Sequence, residues 1–189
     1  MKKLILINLL NILIVLSLFL PSVSLGAEKK PVKKPPAPAI TSESSSITDA
    51  NIATYLKTAD DLLKKGALDS SLRIYLRVYN YTKDVLTTAN ILQPYYDKAL
   101  NDPATEQNDK EEIFLKQKRM KQLMPKYSSI KDAVSYNLGY IYAKKGDTER
   151  ARKYLSEALE TAPFSMKKDS LWMKTKTLLL SQYGLEGEF

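Results

Sequence analysis

Residues 4–20 are apolar almost without interruption, with only Asn8, Asn11 and Ser17 breaking the run. From residue 51 onward the pattern changes: apolar side chains recur at three- and four-residue intervals, the period of an amphipathic helix, and strand-like alternation never lasts. The helical stretches are punctuated by Gly66, Pro94, Asn101-Asp102-Pro103, Pro125, Gly146, Pro163 and Gly184. This predicts seven helices, near 50–65, 68–80, 83–100, 107–124, 128–145, 148–161 and 168–183. The connecting turns are short, so successive helices should lie antiparallel. Pro94 falls inside the third helix and is expected to kink or split it. Residues 101–110 read as an exposed loop.

The fifth and sixth helices carry the strongest pattern, AVSYNLGYIYAKKGDTERARKYLSEALETAP over 133–163. Leu138 and Tyr142 share one helix face, with Gly139 between them. Glycine costs about 1 kcal/mol relative to alanine in a helix interior. Its presence is explained if a second helix approaches too closely for a side chain to fit. Ala151, Leu155 and Ala158 supply the answering stripe at i, i+4 and i+7. Gly146-Asp147 closes the turn and Pro163 ends the second helix.

These residues resemble a tetratricopeptide repeat, the 34-residue helix–turn–helix unit. Leu138, Gly139, Tyr142, Ala151, Ala158 and Pro163 match the family pattern directly. Leu155 replaces an aromatic residue conservatively, and Ser135 departs from the first aromatic, with Tyr136 beside it. The best repeat spans 132–165, and a weaker copy lies 80 residues earlier, in 52–83. There Tyr55, Ala59, Leu62, Gly66, Ser71, Tyr75 and Val78 stand where Ser135, Gly139, Tyr142, Gly146, Ala151, Leu155 and Ala158 stand in the later copy. Thr58 and Lys83 depart from the pattern. Two periods would leave about 12 residues over, so the third and fourth helices are expected to form a degenerate, enlarged pair. The fold expected is all-α, an α-solenoid of antiparallel helix pairs: about three units, the middle one degenerate, and a C-terminal capping helix.

Residues 1–26 read as a signal peptide: Lys2 and Lys3, the apolar run, then Ser24-Leu25-Gly26 before Ala27. The rival reading is an uncleaved inner-membrane anchor at 4–20, because Lys29, Lys30, Lys33 and Lys34 outnumber Lys2 and Lys3. Only that alternative would tether the protein to a membrane. No cysteine follows the run, which excludes a bacterial lipid anchor. Residues 27–50, rich in Lys, Pro and Ser, read as a disordered linker that buries no core. The helical domain then occupies 51–189.

Composition narrows the chemistry. Among 189 residues there is no Cys and no His. Disulfides, thiol nucleophiles, Cys/His zinc sites and Ser–His pairs are therefore absent. Neither GxGxxG nor GxxxxGK[ST] occurs, and no cofactor or metal is expected. Net charge is +8 for the chain and +5 for residues 51–189. The densest basic run, Lys116, Lys118, Arg119 and Lys121, shares its helix with Ile113, Phe114, Met120 and Leu123 and reads as a solvated face. Nucleic acid is not an expected partner.

The resemblance implies binding through the concave groove lined by the first helix of each pair. Groove positions are Tyr136, Asn137, Tyr140 and Lys144 in the later copy, and Leu56, Lys57, Asp60 and Lys64 in the earlier one. Of these, Tyr136, Asn137, Tyr140, Lys144, Lys57 and Lys64 are the partner-binding candidates; packing against neighbouring helices is the plainer role for the two tyrosines. Asp60 and Leu56 occupy places that a carboxylate-gripping member of the family fills with basic and amide groups, which argues against that mode. The last helix spreads Leu171, Trp172, Met173, Leu178, Leu179 and Leu180 around its circumference. A terminal cap normally keeps its outer face polar. Trp172 and Leu179 are thus candidates for a second interface, to a partner or to another copy of the chain. The function expected is a non-enzymatic scaffold, periplasmic or secreted, that binds envelope proteins. The alternative, an enzyme or accessory domain acting on cell-wall glycan, would need paired carboxylates. Asp60-Asp61 and Glu111-Glu112 point apart, and Glu157/Glu160 are expected on an exposed helix surface.

Overall fold

A computed structural model describes residues 46–187 of the chain. The described residues all belong to one compact unit. The expected signal segment 1–26, and residues 27–45 of the expected linker, lie outside the described residues.

The described chain is all-α. Its helices are α1 (Ile52–Lys64), α2 (Leu68–Asn101), α3 (Gln107–Lys144), α4 (Thr148–Thr161) and α5 (Leu171–Ser181). Five helices thus stand among the described residues where the punctuation predicts seven. The pairs expected at 68–80 with 83–100, and at 107–124 with 128–145, are each continuous. At the first join, the Thr82 hydroxyl donates back to the carbonyls of Val78 at 3.0 Å and Tyr79 at 2.9 Å, so a buried hydroxyl is satisfied inside the helix. Pro94, expected to kink or split its helix, lies within uninterrupted α2, and Pro125 lies within α3. Both rings sit at exposed positions. The residues four positions back, Asn90 and Lys121, are exposed as well, so solvent can replace the backbone donor that each proline removes.

Two helix pairs repeat the same construction 80 residues apart. In the first, α1 ends at Gly66 with φ +75°, and in the second α3 ends at Gly146 with φ +76°. Only glycine adopts that left-handed conformation without strain. The Ala67 N–H donates to the Leu62 carbonyl and the Asp147 N–H to that of Tyr142, both at 3.0 Å. The bond that closes the C-cap turn is the same in both. Asp147 then caps α4 by accepting from the Arg150 N–H at 3.1 Å. Inside each pair the small residues Ala59 and Ser71, and Gly139 and Ala151, are buried at the close approach. Tyr75 and Val78 match Leu155 and Ala158, all fully buried.

The two pairs are direct neighbours. Tyr79 of α2 meets Tyr154 of α4 edge to face at 5.3 Å, and Tyr154 stacks on Tyr142 at 5.7 Å. Lys145 pairs with Asp69 at one end of the α2–α3 seam, Tyr81 packs on Tyr127 at 6.0 Å further along, and Gln117 bonds Asp97 near the other end. The degenerate middle pair is therefore present as the outer halves of α2 and α3. They form an antiparallel arm about 30 Å long beyond Tyr81, at 1.5 Å per residue. Between Thr82 and Lys126 only Thr82, Ala89 and Gln117 are buried.

Residues 46–50, part of the expected linker, belong to the folded body. Ile47 packs against the core, and Asp49 accepts hydrogen bonds from Lys126 and, at 2.7 Å, from Tyr127. At the other end α5 docks on α4. Arg152 donates to the Gln182 carbonyl through Nε at 3.1 Å and through Nη2, and its guanidinium lies 4.0 Å from the Tyr183 ring centroid. Ser170 caps α5 by accepting from the Met173 N–H at 3.2 Å.

Candidate functional site

The face of α3 opposite its packing stripe holds four of the groove candidates. Tyr136, Asn137 and Tyr140 are half-buried and Lys144 is exposed. The i, i+4, i+8 spacing lines up Tyr136, Tyr140 and Lys144 on one side of the helix, and the Lys144 ammonium lies 5.6 Å from the Tyr140 ring centroid. Burial raises the Tyr136 phenol above its ordinary pKa, with Tyr140 beside it adding to the effect, so it stays a neutral donor and acceptor at physiological pH. Tyr140 and Leu56 also rest part of their surface on the hydrophobic core. Tyr140 therefore takes part in the packing while part of its surface stays accessible.

Lys57 and Lys64 are exposed on α1. Helix α1 packs on α2, and α2 on α3, so these lysines stand on a neighbouring ridge and do not touch the tyrosine row. Asp60, between them, accepts from the Tyr75 hydroxyl. Trp172 and Leu179 sit on α5, both half-buried. Trp172 meets Phe164 edge to face at 4.8 Å, with the Lys176 ammonium 5.9 Å from its ring centroid. Phe164 and Met166 stand in solvent at 70% and 71% exposure, which makes this end the most apolar stretch of exposed surface in the loop before α5.

The carboxylates weighed for catalysis each have a separate environment. Glu112 pairs with Lys116. Glu157, expected on an exposed surface, is half-buried: it accepts from the Tyr79 hydroxyl at 2.7 Å and from Lys131 at 2.7 Å. Burial pushes its carboxyl up, but the bonds from Lys131 and Tyr79 outweigh this and hold it below the usual carboxylate range. Glu157 thus joins α2, α3 and α4 and is a structural tie. Asp132, almost fully buried, bonds the Thr161 hydroxyl, and burial raises its carboxyl. These ties escape sequence reasoning because Tyr79 and Glu157 are 78 positions apart. The tyrosine richness of the chain is the only hint of them. Among the described residues no group of three or more Asp or Glu side chains could hold a metal ion, and no helix is long and apolar enough to cross a membrane.

Several clefts lie along the α2–α3 seam, two of them between its far end and the repeat pairs. Val85 and Leu86, about 100° apart on α2, line different ones. The first, about 270 Å³, is apolar, walled by Val85, Leu92, Leu123 and Tyr127, with Lys116 and Arg119 on its rim. The second, about 540 Å³, lies where the arm leaves the repeat pairs and α4 joins the seam.

Comparison with known proteins bears on the second helix pair. The tetratricopeptide repeat family matches residues 133–165, the segment in which Gly139 faces Leu155. No curated protein and no solved structure matches the chain.

Proposed function

We propose that the protein is a non-enzymatic scaffold of the bacterial cell envelope, exported through its N-terminal apolar segment, that binds a partner protein along α1 and α3. A tetratricopeptide repeat at 133–165 supports a protein–protein interaction module in general, and such repeats are typically non-catalytic. The observation that carries the finer reading is the row Tyr136, Tyr140, Lys144. The Tyr140 ring rests on the core, Tyr136 is half-buried one turn before it, and Lys144 is exposed one turn after it. Tyrosine gives large contact area at small entropic cost, and rings held in place in the free protein lose less on binding. Asn137 adds an amide beside them, and Lys57 and Lys64 add positive charge on the next ridge, which favours an extended or acidic peptide. A second contact, through Trp172 and Leu179 on α5, serves either another partner or a second copy of the chain.

The test is affinity capture from envelope extract, with the full chain and a Tyr136→Ala/Tyr140→Ala variant as parallel baits, each checked for normal unfolding. A partner retained by the wild type and lost by a well-folded variant supports the α3 row. A partner held equally by both removes the row from the proposal; Trp172→Ser/Leu179→Ser is then the variant to compare. Fractionation that leaves the protein in the cytoplasm would refute the envelope assignment.

A further inference from the structure

The 540 Å³ cleft at the root of the arm has a charge arrangement that the scaffold reading does not use. Its walls come from three helices: Lys83 from α2, Lys121 and Lys131 from α3, and Glu157 from α4. The Lys131–Glu157 pair is closed on itself at 2.7 Å, only 13% and 26% exposed, with the Tyr79 hydroxyl filling a further place on the carboxylate. That leaves Lys83 and Lys121. They come from different helices, α2 and α3, and among the described residues neither forms an ion pair. Lys83 lines the cleft, and its charge contributes to lowering the Glu157 pKa. The walls also carry the Asn90 amide and the Ser128 hydroxyl, and the floor is apolar, formed by Leu86 and Met124.

We propose that this cleft binds a phosphate monoester. Two ammonium groups that line one cleft without an ion-pair partner match a dianion, whereas a carboxylate supplies a single negative charge. Lysine binds phosphate as a point charge. Asn90 and Ser128 supply neutral donors for further phosphate oxygens. The Leu86–Met124 floor accepts the organic part of the ester, so an ester binds more tightly than inorganic phosphate. The volume falls within the range of about 300–1,000 Å³ usual for small-molecule sites. The phosphate can belong to a free ester or to a lipid headgroup; the chemistry recognised is the same. The site is separate from the α3 tyrosine row and stands or falls independently of it.

The experiment is titration of the full chain with phenyl phosphate, inorganic phosphate and benzoate, read by calorimetry and by amide shifts at Asn90 and Ser128. The expected order is phenyl phosphate tightest and benzoate weakest. Lys83→Gln/Lys121→Gln should weaken phenyl phosphate more than tenfold, the loss expected for charged hydrogen bonds. Lys98→Gln/Lys118→Gln, which makes the same charge change outside the cleft, should stay within about twofold. Lys83→Arg/Lys121→Arg should keep most of the affinity. Phosphatidylcholine vesicles with and without phosphatidic acid separate the sources: a gain with phosphatidic acid that is lost in the Lys83/Lys121 variant assigns a lipid headgroup, and no gain assigns a free ester. Equal losses in the two Lys→Gln pairs, benzoate binding as tightly as phenyl phosphate, or no binding by the wild type would each overturn the proposal.

Discussion

Substituting Gly139 by alanine sets two effects of opposite sign against each other. Helix propensity alone favours alanine by about 1 kcal/mol. Against that, a Cβ at 139 would stand 2.5 Å from Leu155 Cγ, 2.7 Å from Leu155 Cδ2 and 3.3 Å from the Ala151 carbonyl oxygen. Carbon atoms rest at about 3.5–4.0 Å, so Leu155 must retreat by about 1 Å. Leu155 is fully buried, and Cγ lies near its backbone, so it retreats only by pushing on its own neighbours. Overpacking of this kind costs about 1–3 kcal/mol. The net expectation is a loss of about 1 kcal/mol, with Gly139→Leu losing more.

The sign should reverse once Leu155 is removed. Leu155→Ala alone is expected to cost about 2–5 kcal/mol through the cavity it leaves. In that background the Cβ at 139 meets no Leu155 atoms, fills part of the cavity and keeps the propensity gain, so Gly139→Ala should stabilise by about 1 kcal/mol. The coupling is then about 2 kcal/mol. The assay is urea unfolding of the wild type, both single variants and the double variant by far-UV circular dichroism, comparing midpoints at constant m value. If Gly139→Ala has the same effect in both backgrounds, to within about 0.5 kcal/mol, the two residues do not touch and the close approach of α3 and α4 is refuted.

Other outcomes follow from single buried groups and from the arm. The Ser135 hydroxyl is fully buried and finds no hydrogen-bond partner, so Ser135→Ala should stabilise by about 1 kcal/mol, raising the urea midpoint; a clear destabilisation would mean that the hydroxyl is bonded. Glu157 titrates below its unfolded value of about 4.5, so its stabilisation is complete above that pH and is lost as pH falls through the depressed folded value. Glu157→Gln should therefore cost about 1–3 kcal/mol at pH 7 and progressively less below about pH 4, read from urea midpoints across pH. Asp132 is raised by burial, so its folded form binds the proton more tightly and its contribution to stability falls as pH rises; Asp132→Asn should stabilise at pH 7, opposite in sign to Glu157→Gln, in the same measurement. Amide exchange should be faster along 84–101 and 107–124 than along 134–158, because few side chains are buried in the arm; equal protection would contradict a two-helix arm.

The second helix pair was legible because its packing is written at short spacing. Leu138, Gly139 and Tyr142 against Ala151, Leu155 and Ala158 need only one turn to bring them together, and a lone helical glycine announces the contact. Helix continuity was not legible at Pro94 or Pro125. Proline removes one backbone bond, and whether that ends a helix depends on what faces the orphaned carbonyl, which only the tertiary arrangement decides. Nor was the role of Glu157 legible: on its own helix it is one more acidic residue in a polar stretch, and its two donors come from helices before and after a long excursion. The Tyr136 and Tyr140 row was half legible. Periodicity places both on one face, but not how much of each ring the core retains.

The excursion also explains how a repeat can keep its internal packing at a spacing of 80 residues when one period is about 34. Extra residues within a unit would rotate one helix against its partner and move the small residues away from the close approach. Between units, residues added to the end of α2 can be matched by residues added to the start of α3, because the two run antiparallel. Asp69 facing Lys145, Tyr81 facing Tyr127 and Asp97 facing Gln117 keep nearly one register from the body to the far part of the arm. The junction between units is thus the one place where about 46 residues can enter while Gly139 still faces Leu155, Ser71 still bonds the Ala59 carbonyl at 2.8 Å and both glycine turns close identically.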